Sequence, residues 1–323
     1  MGRNRNTGRG WKVEGRGLRV ECKVVIARCQ IVINSIAQSN PMKLLYNLVA
    51  LFVIAQLLGI YTGIIILKDM PANPYIASLA VTENVNEPIN AVYYFGFILL
   101  GAVFIIVMIR LFKSYGILFK LLEFFMISTA SSIVFYAFSR IFLGYSDAMA
   151  FGILAGLVFA AIKFFFTKTK NMAAIIATAG VGTIFGISFG LVPAVIFLVL
   201  LSLYDFVAVF TTKHMVEMAE FIIKKDLAFT ITAQTSEGTP RFVEGERKRI
   251  DLGTGDIIAP IMFEVSVLPL GFNAVAMVFL GATVSLAVFL YLFFNRKLVL
   301  PALPPLVLGM LLFFMIGLLA GFY

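Results

Sequence analysis

The stretch DLGTGDIIAP, residues 251–260, decides the architecture of the chain. It follows nineteen mostly polar residues, 232–250, and its Gly-Thr-Gly opens a long apolar segment with Asp256 only a few residues inside. An ionised Asp at the centre of a membrane helix costs about 2.5–3.5 kcal/mol on insertion scales, so acids at such depth usually face a protein interior or a hydrated cavity. Asp256 therefore indicates a functional carboxylate; an Asp at the membrane interface is the alternative.

The composition of the chain is that of a membrane protein. Hydrophobic residues make up 61% and charged residues 13% of the 323 residues, and the mean hydropathy is +0.98. Globular domains carry about a quarter charged residues. Because a bilayer offers the backbone no hydrogen-bond partners, we expect the spanning segments to be helices. The composition thus predicts an all-α membrane protein whose main partner is the lipid bilayer, with no nucleic acid partner.

The hydropathy of the chain predicts nine transmembrane helices. Each is near the roughly 20 residues that about 30 Å of hydrocarbon requires. The predicted spans cover residues 44–67, 92–112, 117–138, 148–166, 172–189, 191–212, 253–270, 273–294 and 300–322. A single helical bundle therefore accounts for most of the chain.

The distribution of Lys and Arg predicts the orientation of these spans, because cytoplasmic connections are rich in both residues. With a cytoplasmic N-terminus, fifteen Lys and Arg residues fall in cytoplasmic connections and two, Lys68 and Arg140, fall in external ones. The one long external loop, residues 69–91, carries three acids, which suits that side. We therefore predict a cytoplasmic N-terminus and an external C-terminus.

The spans divide the chain into four predicted parts. Residues 1–41 form a basic N-terminal extension, either a cytoplasmic arm that touches anionic lipid or a segment upstream of the true start. Residues 42–226 hold six spans, followed within the same part by an amphipathic interfacial helix at 213–226. Residues 227–252 form a cytoplasmic loop, and residues 253–323 form a three-helix C-terminal part.

The cytoplasmic loop contains a candidate β-hairpin. Residues 227–235, LAFTITAQT, are rich in β-branched side chains, residues 236–240 have turn composition, and residues 241–246 offer a returning strand. A disordered linker is equally compatible with this composition.

A second acid, Asp205, lies well inside the sixth predicted span. Spans six and seven are predicted to be antiparallel neighbours, so Asp205 and Asp256 both lie toward the cytoplasmic side and can reach the same depth. Two carboxylates at close range cannot both ionise cheaply, so one holds a proton and the pair can act as general acid and general base on one water molecule. A proton-coupled transporter would use the same two acids. The residues alone leave both functions open.

The chain lacks the residues of a zinc centre. It has one histidine, His214, and two cysteines, Cys22 and Cys29, which both precede the first span. We therefore predict no metal site, no cofactor and no disulfide framework. Peptide hydrolysis by two carboxylates needs none of them.

Three short motifs resemble those of the presenilin and signal peptide peptidase family, the GxGD intramembrane aspartyl proteases. Tyr204-Asp205, Gly253-Thr254-Gly255-Asp256 and Pro301-Ala302-Leu303 occur in the family's order on spans six, seven and nine. The resemblance covers roughly residues 42–323, and with its cytoplasmic N-terminus the chain is most similar to a microbial presenilin homologue. It implies a presenilin-like bundle and an intramembrane aspartic endopeptidase; a peptidase-dead scaffold is disfavoured because both acids are retained.

The resemblance implies a role for each motif residue. Asp205 and Asp256 would be the catalytic acids, and the residues at the substrate would be Tyr204, Gly253, Thr254, Gly255, Pro301, Ala302 and Leu303. The two glycines let a substrate backbone or a neighbouring helix approach closely. Thr254 departs from the Leu that the family usually has. The loop between spans six and seven also lacks the long insert in which presenilins are cut.

The implied substrates are single-span membrane proteins, cut within or near their apolar helices. Because a helix shields its own amides, such a substrate must unwind locally and enter sideways between helices. We expect a cell-membrane location, no obligatory accessory subunit, and either a monomer or a homo-oligomer. Glu264 lies eight residues beyond Asp256, offset about 80° around the helix, and is a further candidate for the same cavity.

Overall fold

The computed structural model describes residues 41–82, 84–111, 116–166, 169–208, 230–234, 249–293 and 301–323. Most of these residues are helical. Their nine long helices are α1 Pro41–Asp69, α2 Ile89–Leu111, α3 Gly116–Ser139, α4 Tyr145–Phe165, α5 Lys170–Ser188, α6 Leu191–Val207, α7 Thr254–Ser266, α8 Phe272–Phe293 and α9 Leu303–Leu319. Two strands, β1 Thr230–Gln234 and β2 Arg249–Gly253, pair in a small sheet, and short helical turns lie at Pro74–Ala77 and Leu268–Leu270.

The chain divides into two compact units. The larger unit is Leu45–Ala233 with Ile250–Tyr323, and it contains nearly all of α1 and every other helix named above. The smaller unit is Met1–Leu44 with Gln234–Arg249. All candidate site residues belong to the larger unit.

Each predicted span overlaps one of the long helices. Within the described residues, five helices are long and apolar enough to cross a membrane: Leu45–Asp69, Phe119–Ser139, Tyr145–Phe165, Lys170–Ser188 and Phe272–Leu292. Three more apolar helices are shorter: Ile89–Ile105, Leu191–Val207 and Leu303–Leu319. The helical membrane architecture is therefore confirmed, whereas nine crossings and the orientation of the termini stay predictions.

A small two-stranded sheet accompanies the predicted helical bundle. β2 runs to Gly253, where the seventh span was predicted to begin, so the helix starts at Thr254 instead. A strand is present within residues 227–235 as β1, and it pairs with β2. The predicted parts that lie outside the described residues are the extension at 1–40, the interfacial helix at 213–226 and the returning strand at 241–246.

Helix α7 lies at the centre of the larger unit. It packs on α5, α6, α8 and α9, and its residues from Ala259 to Ser266 are all buried. The helices approach it closely because glycines face it: a Cβ on any of these glycines would lie 2.3–2.7 Å from a side-chain atom of Ile261 or Val265. The four glycines are Gly59 and Gly63 of α1 and Gly182 and Gly186 of α5. Ile261 and Val265 are therefore clamped between α1 and α5.

The sequence after α7 explains why this helix is short. Pro269 lies in the turn Leu268–Leu270 that follows, and Gly271 has a φ of 116°. Such a φ favours glycine, so the chain can turn sharply there before α8 begins. Helix α7 therefore has 13 residues and a length of about 20 Å at 1.5 Å per residue.

Two ion pairs, one partly buried and one buried, join helices away from α7. The Nε of Arg140 donates to Oδ2 of Asp69 at 2.7 Å, and the Tyr136 hydroxyl donates to the same oxygen at 2.7 Å. Asp69 is 2% exposed and ends α1, so this cluster ties α1 to the end of α3. Lys163 of α4 pairs with Glu123 of α3, and both are buried. A buried charge needs such a partner because an uncompensated one is costly.

Candidate active site

Asp205 lies in the last turn of α6 and is 7% exposed. The backbone N–H of Leu303 donates to its Oδ2 at 3.4 Å, a long hydrogen bond. Leu303 is the first residue of α9, and the next two residues, Pro304 and Pro305, have no N–H to donate. Since a helix N-terminus carries a partial positive charge, α9 favours negative charge on Asp205.

Asp256 lies in the first turn of α7 and is half-buried. Gly253 is the residue that precedes the helix, and its backbone N–H faces the Asp256 carboxylate. An acid three residues after the cap that reaches back to the cap N–H forms one half of a capping box. The Gly-x-Gly-Asp motif therefore both starts α7 and holds its carboxylate at the helix N-terminus.

The two carboxylates come together although they are 51 positions apart in the sequence. They are close enough for the charge of Asp205 to act directly on Asp256. Three elements meet there: the end of α6, the junction of β2 with α7, and the N-terminus of α9. Each carboxylate also faces a helix N-terminus, which offsets part of their mutual repulsion. The arrangement can hold one ionised and one protonated carboxyl group.

The stretch Pro301-Ala302-Leu303 is buried and forms one wall of this arrangement. Ala302 caps α9 and Leu303 supplies the N–H that reaches Asp205. A backbone contact of this kind does not depend on the side chain of the donor. The hydrogen bond from Leu303 connects the stretch directly to Asp205.

The residues between β2 and Asp256 differ in their surroundings. Gly255 is exposed, and among the described residues no atom lies within 4 Å of the position where its Cβ would be. A Cβ on Gly253 would instead lie 3.2 Å from Oδ2 of Asp256. Thr254 between them is half-buried. Gly255 is thus open toward the outside of the chain, beside the acid, where an extended backbone could approach.

Tyr204 is positioned by an aromatic contact. Its ring packs edge-to-face on Phe95 of α2, with ring centroids 6.2 Å apart. Sequence reasoning did not identify Phe95, because nothing in its surrounding apolar run marks it as a neighbour of span six. Tyr204 therefore links the helix of Asp205 to α2.

Glu264 lies apart from the two acids. It is fully buried, and no charge interaction connects it with Asp205 or Asp256. At 1.5 Å per residue it lies about 12 Å further along α7 than Asp256. The structure therefore does not bring Glu264 into the predicted cavity.

The two-stranded sheet lies directly before the Gly-x-Gly-Asp motif. β2 ends at Gly253, and β1 is its neighbour. Within the residues that the structure describes, each of the two strands pairs along one edge only, and an unpaired edge can accept a further strand. The position of this sheet places such an edge next to Asp256 in the sequence.

A comparison with protein families identifies one matching family. The family model described as signal-peptide peptidase, presenilin aspartyl protease matches residues 49–322. This range includes every candidate site residue. No curated protein matches the chain.

Solved structures give a second, independent comparison. The chain is similar to a presenilin family intramembrane aspartate protease solved in a C222 space group, with a TM-score of 0.60, 20% identity, and coverage of 85% of this chain and 99% of that chain. It is also similar to one solved in a P2 space group, with a TM-score of 0.55, 24% identity, and coverage of 82% and 96%. At these identities the likeness establishes the fold.

Proposed function

We infer a mechanism from the premise that the chain belongs to the family of signal-peptide peptidase and presenilin aspartyl proteases. The protein is an intramembrane aspartic protease that acts on membrane-embedded substrates. The finer assignment is that Asp205 and Asp256 are its catalytic acids. They hydrolyse peptide bonds within or near the transmembrane helices of single-span substrates. The meeting of these two carboxylates in one place supports this assignment.

In the proposed reaction, the ionised carboxylate takes a proton from water while the water oxygen attacks the substrate carbonyl carbon. The protonated carboxyl group gives its proton to the carbonyl oxygen, which yields a neutral tetrahedral intermediate. A proton then passes to the peptide nitrogen, and the C–N bond breaks to leave a carboxylic acid and an amine. The pair, rather than either residue alone, supplies both roles.

The proposed substrate contacts use backbone groups. An unwound substrate segment exposes amides that need partners in a poorly hydrated site. A free edge of β1 or β2 can supply them by adding the substrate as a strand, which reads backbone rather than side chains. Gly255 is open beside Asp256 and leaves space for the same segment. We expect broad sequence tolerance as a result, with Tyr204, Gly253, Thr254 and Pro301–Leu303 lining the remaining walls.

The test of the acids is a cleavage assay on purified protein in detergent with a single-span test substrate. Asp205→Asn and Asp256→Asn each keep the shape of the side chain but remove its acid, and each should abolish cleavage. Asp147→Asn is the matched control, because Asp147 is an exposed acid in the first turn of α4. Thermal unfolding should show all three variants folded. Substantial cleavage by either active-site variant would contradict the assignment.

We further propose nine crossings with a cytoplasmic N-terminus, in the cell membrane, with the four-part division at residues 41, 226 and 252. Water must then reach the acids from the cytoplasmic side. In a chain with Cys22 and Cys29 replaced by Ser, Thr254→Cys should react with a polar maleimide added to the cytoplasmic side. Tyr75→Cys is the control and should react only from the outside, since Tyr75 is 72% exposed in the predicted external loop. The reverse pattern would overturn the orientation.

A further inference from the structure

Glu264 is a buried acid that the proposed reaction does not use. It is 0% exposed, and in the described part of the chain no group donates a hydrogen bond to either of its carboxyl oxygens. Burial of a polar group without partners costs several kcal/mol in an apolar medium, so such groups are rare and need an explanation. A carboxyl group at the centre of a membrane bundle is an extreme case.

The contacts of α7 fix the direction in which Glu264 points. Successive side chains of a helix are about 100° apart. Ile261 faces Gly59 of α1, and the carbonyl of Met262 lies beside Gly186 of α5. Around the circumference of α7, helix α5 therefore lies on one side of Ile261 and Glu264 lies on the other. Glu264 is about 60° from Ile261 in the opposite direction. It therefore points to the side of α7 away from α5, where α8 packs on α7 and bonds to α1 through Thr283 and Gln56.

Gln56 occupies the same groove between α1 and α8. Its side chain is 0% exposed, and its Oε1 accepts a hydrogen bond from the Thr283 hydroxyl of α8 at 3.2 Å. Its Nε2, which carries two donors, has no partner among the described residues. Orphaned donors on Gln56 and orphaned acceptors on Glu264 thus face one groove. We call this groove the polar seam and define it by Gln56, Thr283 and Glu264.

The two orphaned groups form no hydrogen bond with each other, since neither has a partner in the described part of the chain. The contacts of Gly59 with Ile261 and of Gly63 with Val265 show that α1 and α7 run in the same direction. Gln56 is three residues before Gly59 on α1, and Glu264 is three residues after Ile261 on α7. Since Gly59 and Ile261 are in contact, Gln56 and Glu264 are offset by about 9 Å along the helix axes. Water can bridge two polar groups that do not reach each other, because it both donates and accepts hydrogen bonds.

Helix α7 carries a third polar group on the same side as Glu264. Pro260 lies within α7 and has no N–H, so the carbonyl of Asp256 lacks its usual helical donor. Pro260 is about 40° from Glu264 around the helix. This carbonyl belongs to the turn that carries the candidate catalytic carboxylate. An internal water typically makes about three hydrogen bonds to otherwise unpaired buried groups, and the seam offers that many.

We propose that the polar seam is a binding site for internal water, which connects Gln56 to Glu264 and fixes α7 against α1 and α8. The site is separate from the catalytic pair and does not depend on the proposed reaction. Gln56 and Glu264 act in it as positioning residues for α7.

The sign of a stability change tests the proposal. In a dry seam, Glu264→Leu removes an unpaired carboxyl group and raises the Tm. In a hydrated seam it removes an acceptor and leaves Gln56 unpaired, so we expect the Tm to fall. We also expect Gln56→Leu to lower the Tm, and the double variant to fall by less than the sum of the two. A raised or unchanged Tm for Glu264→Leu, or additive effects in the double variant, would overturn the proposal.

A control variant and a second measurement complete this test. Thr178→Val is the matched control, because Thr178 is a buried residue of α5 whose hydroxyl, within the described residues, bonds to the Ile175 carbonyl of its own helix; its effect should add to that of Glu264→Leu. Should the leucine variants fail to fold, a high-resolution map of the wild-type protein decides. Density for ordered water within hydrogen-bond distance of Gln56 and Glu264 supports the site, and a Glu264 carboxyl surrounded by carbon atoms alone refutes it.

Discussion

Gly182→Ala should separate helix α5 from the helix that carries Asp256. The new Cβ would lie 2.6 Å from Cγ2 and 2.7 Å from Cβ of Ile261, far inside van der Waals contact. Ile261 cannot retreat toward α1, because Gly59 already approaches its Cγ2 so closely that a Cβ there would be 2.3 Å away. The two helices must therefore move apart.

The expected cost follows from this overpacking. Excess atoms in a packed core cost about 1–3 kcal/mol. At about 2–4 °C per kcal/mol, the Tm of Gly182→Ala should fall by about 2–12 °C. Because Asp256 lies five residues before Ile261 on the same rigid helix, cleavage measured well below the Tm should fall as well.

Gly101→Ala is the matched control for this variant. Gly101 lies within α2, and among the described residues no atom lies within 4 Å of the position of its Cβ. Alanine gains about 1 kcal/mol over glycine in a helix interior, so this variant should keep or raise the Tm. Scanning calorimetry in one detergent compares the two. If Gly182→Ala melts at the same temperature as Gly101→Ala, the account of α7 as a clamped helix is refuted.

Three further predictions concern the ion pair, the sheet and the open glycine. Arg140→Met leaves Asp69 buried without its cation and should cost about 3–5 kcal/mol, less in an Asp69→Asn background. The hydrogen bond to Asp69 raises the pKa of Arg140. Stability that comes from a raised pKa is lost only when the pH rises through that pKa, which for arginine lies far above neutral pH. The Tm deficit of Arg140→Met should therefore stay constant from about pH 6 to pH 9. Thr232→Pro in β1 should slow cleavage strongly if that N–H pairs with substrate, whereas Thr232→Val should not; equal turnover in both variants would count against strand addition. Gly255→Ala should leave the Tm unchanged and lower cleavage, since its Cβ meets no described atom and intrudes only on a bound segment.

The features that the sequence predicted are those with a local signal. Each long helix is an apolar run of suitable length, which needs no knowledge of its neighbours. Asp205 and Asp256 could be identified because a carboxylate in an apolar run is costly wherever the run packs. Their meeting also follows from two adjacent antiparallel helices. The place of Pro301–Leu303 beside the substrate, by contrast, was expected only from a resemblance to known motifs. The hydrogen bond from Leu303 to Asp205 was not predicted, because its donor is a backbone group that any residue other than proline would carry.

The features that the sequence did not predict depend on pairing between distant segments. Gly59 and Gly182 are ordinary glycines in apolar runs, and nothing near them indicates that both face Ile261. Asp69 and Arg140 were interpreted only as charges of two external connections, yet they form a partly buried ion pair. The extent of β2 depends on its pairing with β1, which lies earlier in the chain. In each case the signal lies in the partner, more than ten residues away.

The length of α7 shows how these local and distant features depend on one another. With 13 residues it is shorter than the predicted span, so its surroundings rather than its own length must hold it in place. Glycines on α1 and α5 bring two helices into contact with its apolar face, and Phe263 packs on Phe314 of α9 with ring centroids 5.6 Å apart. The polar N-terminus of α7 can then remain next to Gly253, where strand β2 ends. A longer, self-sufficient helix would continue through Gly253 and remove the free N–H that Asp256 faces, so a short α7 is a condition for the geometry of its carboxylate.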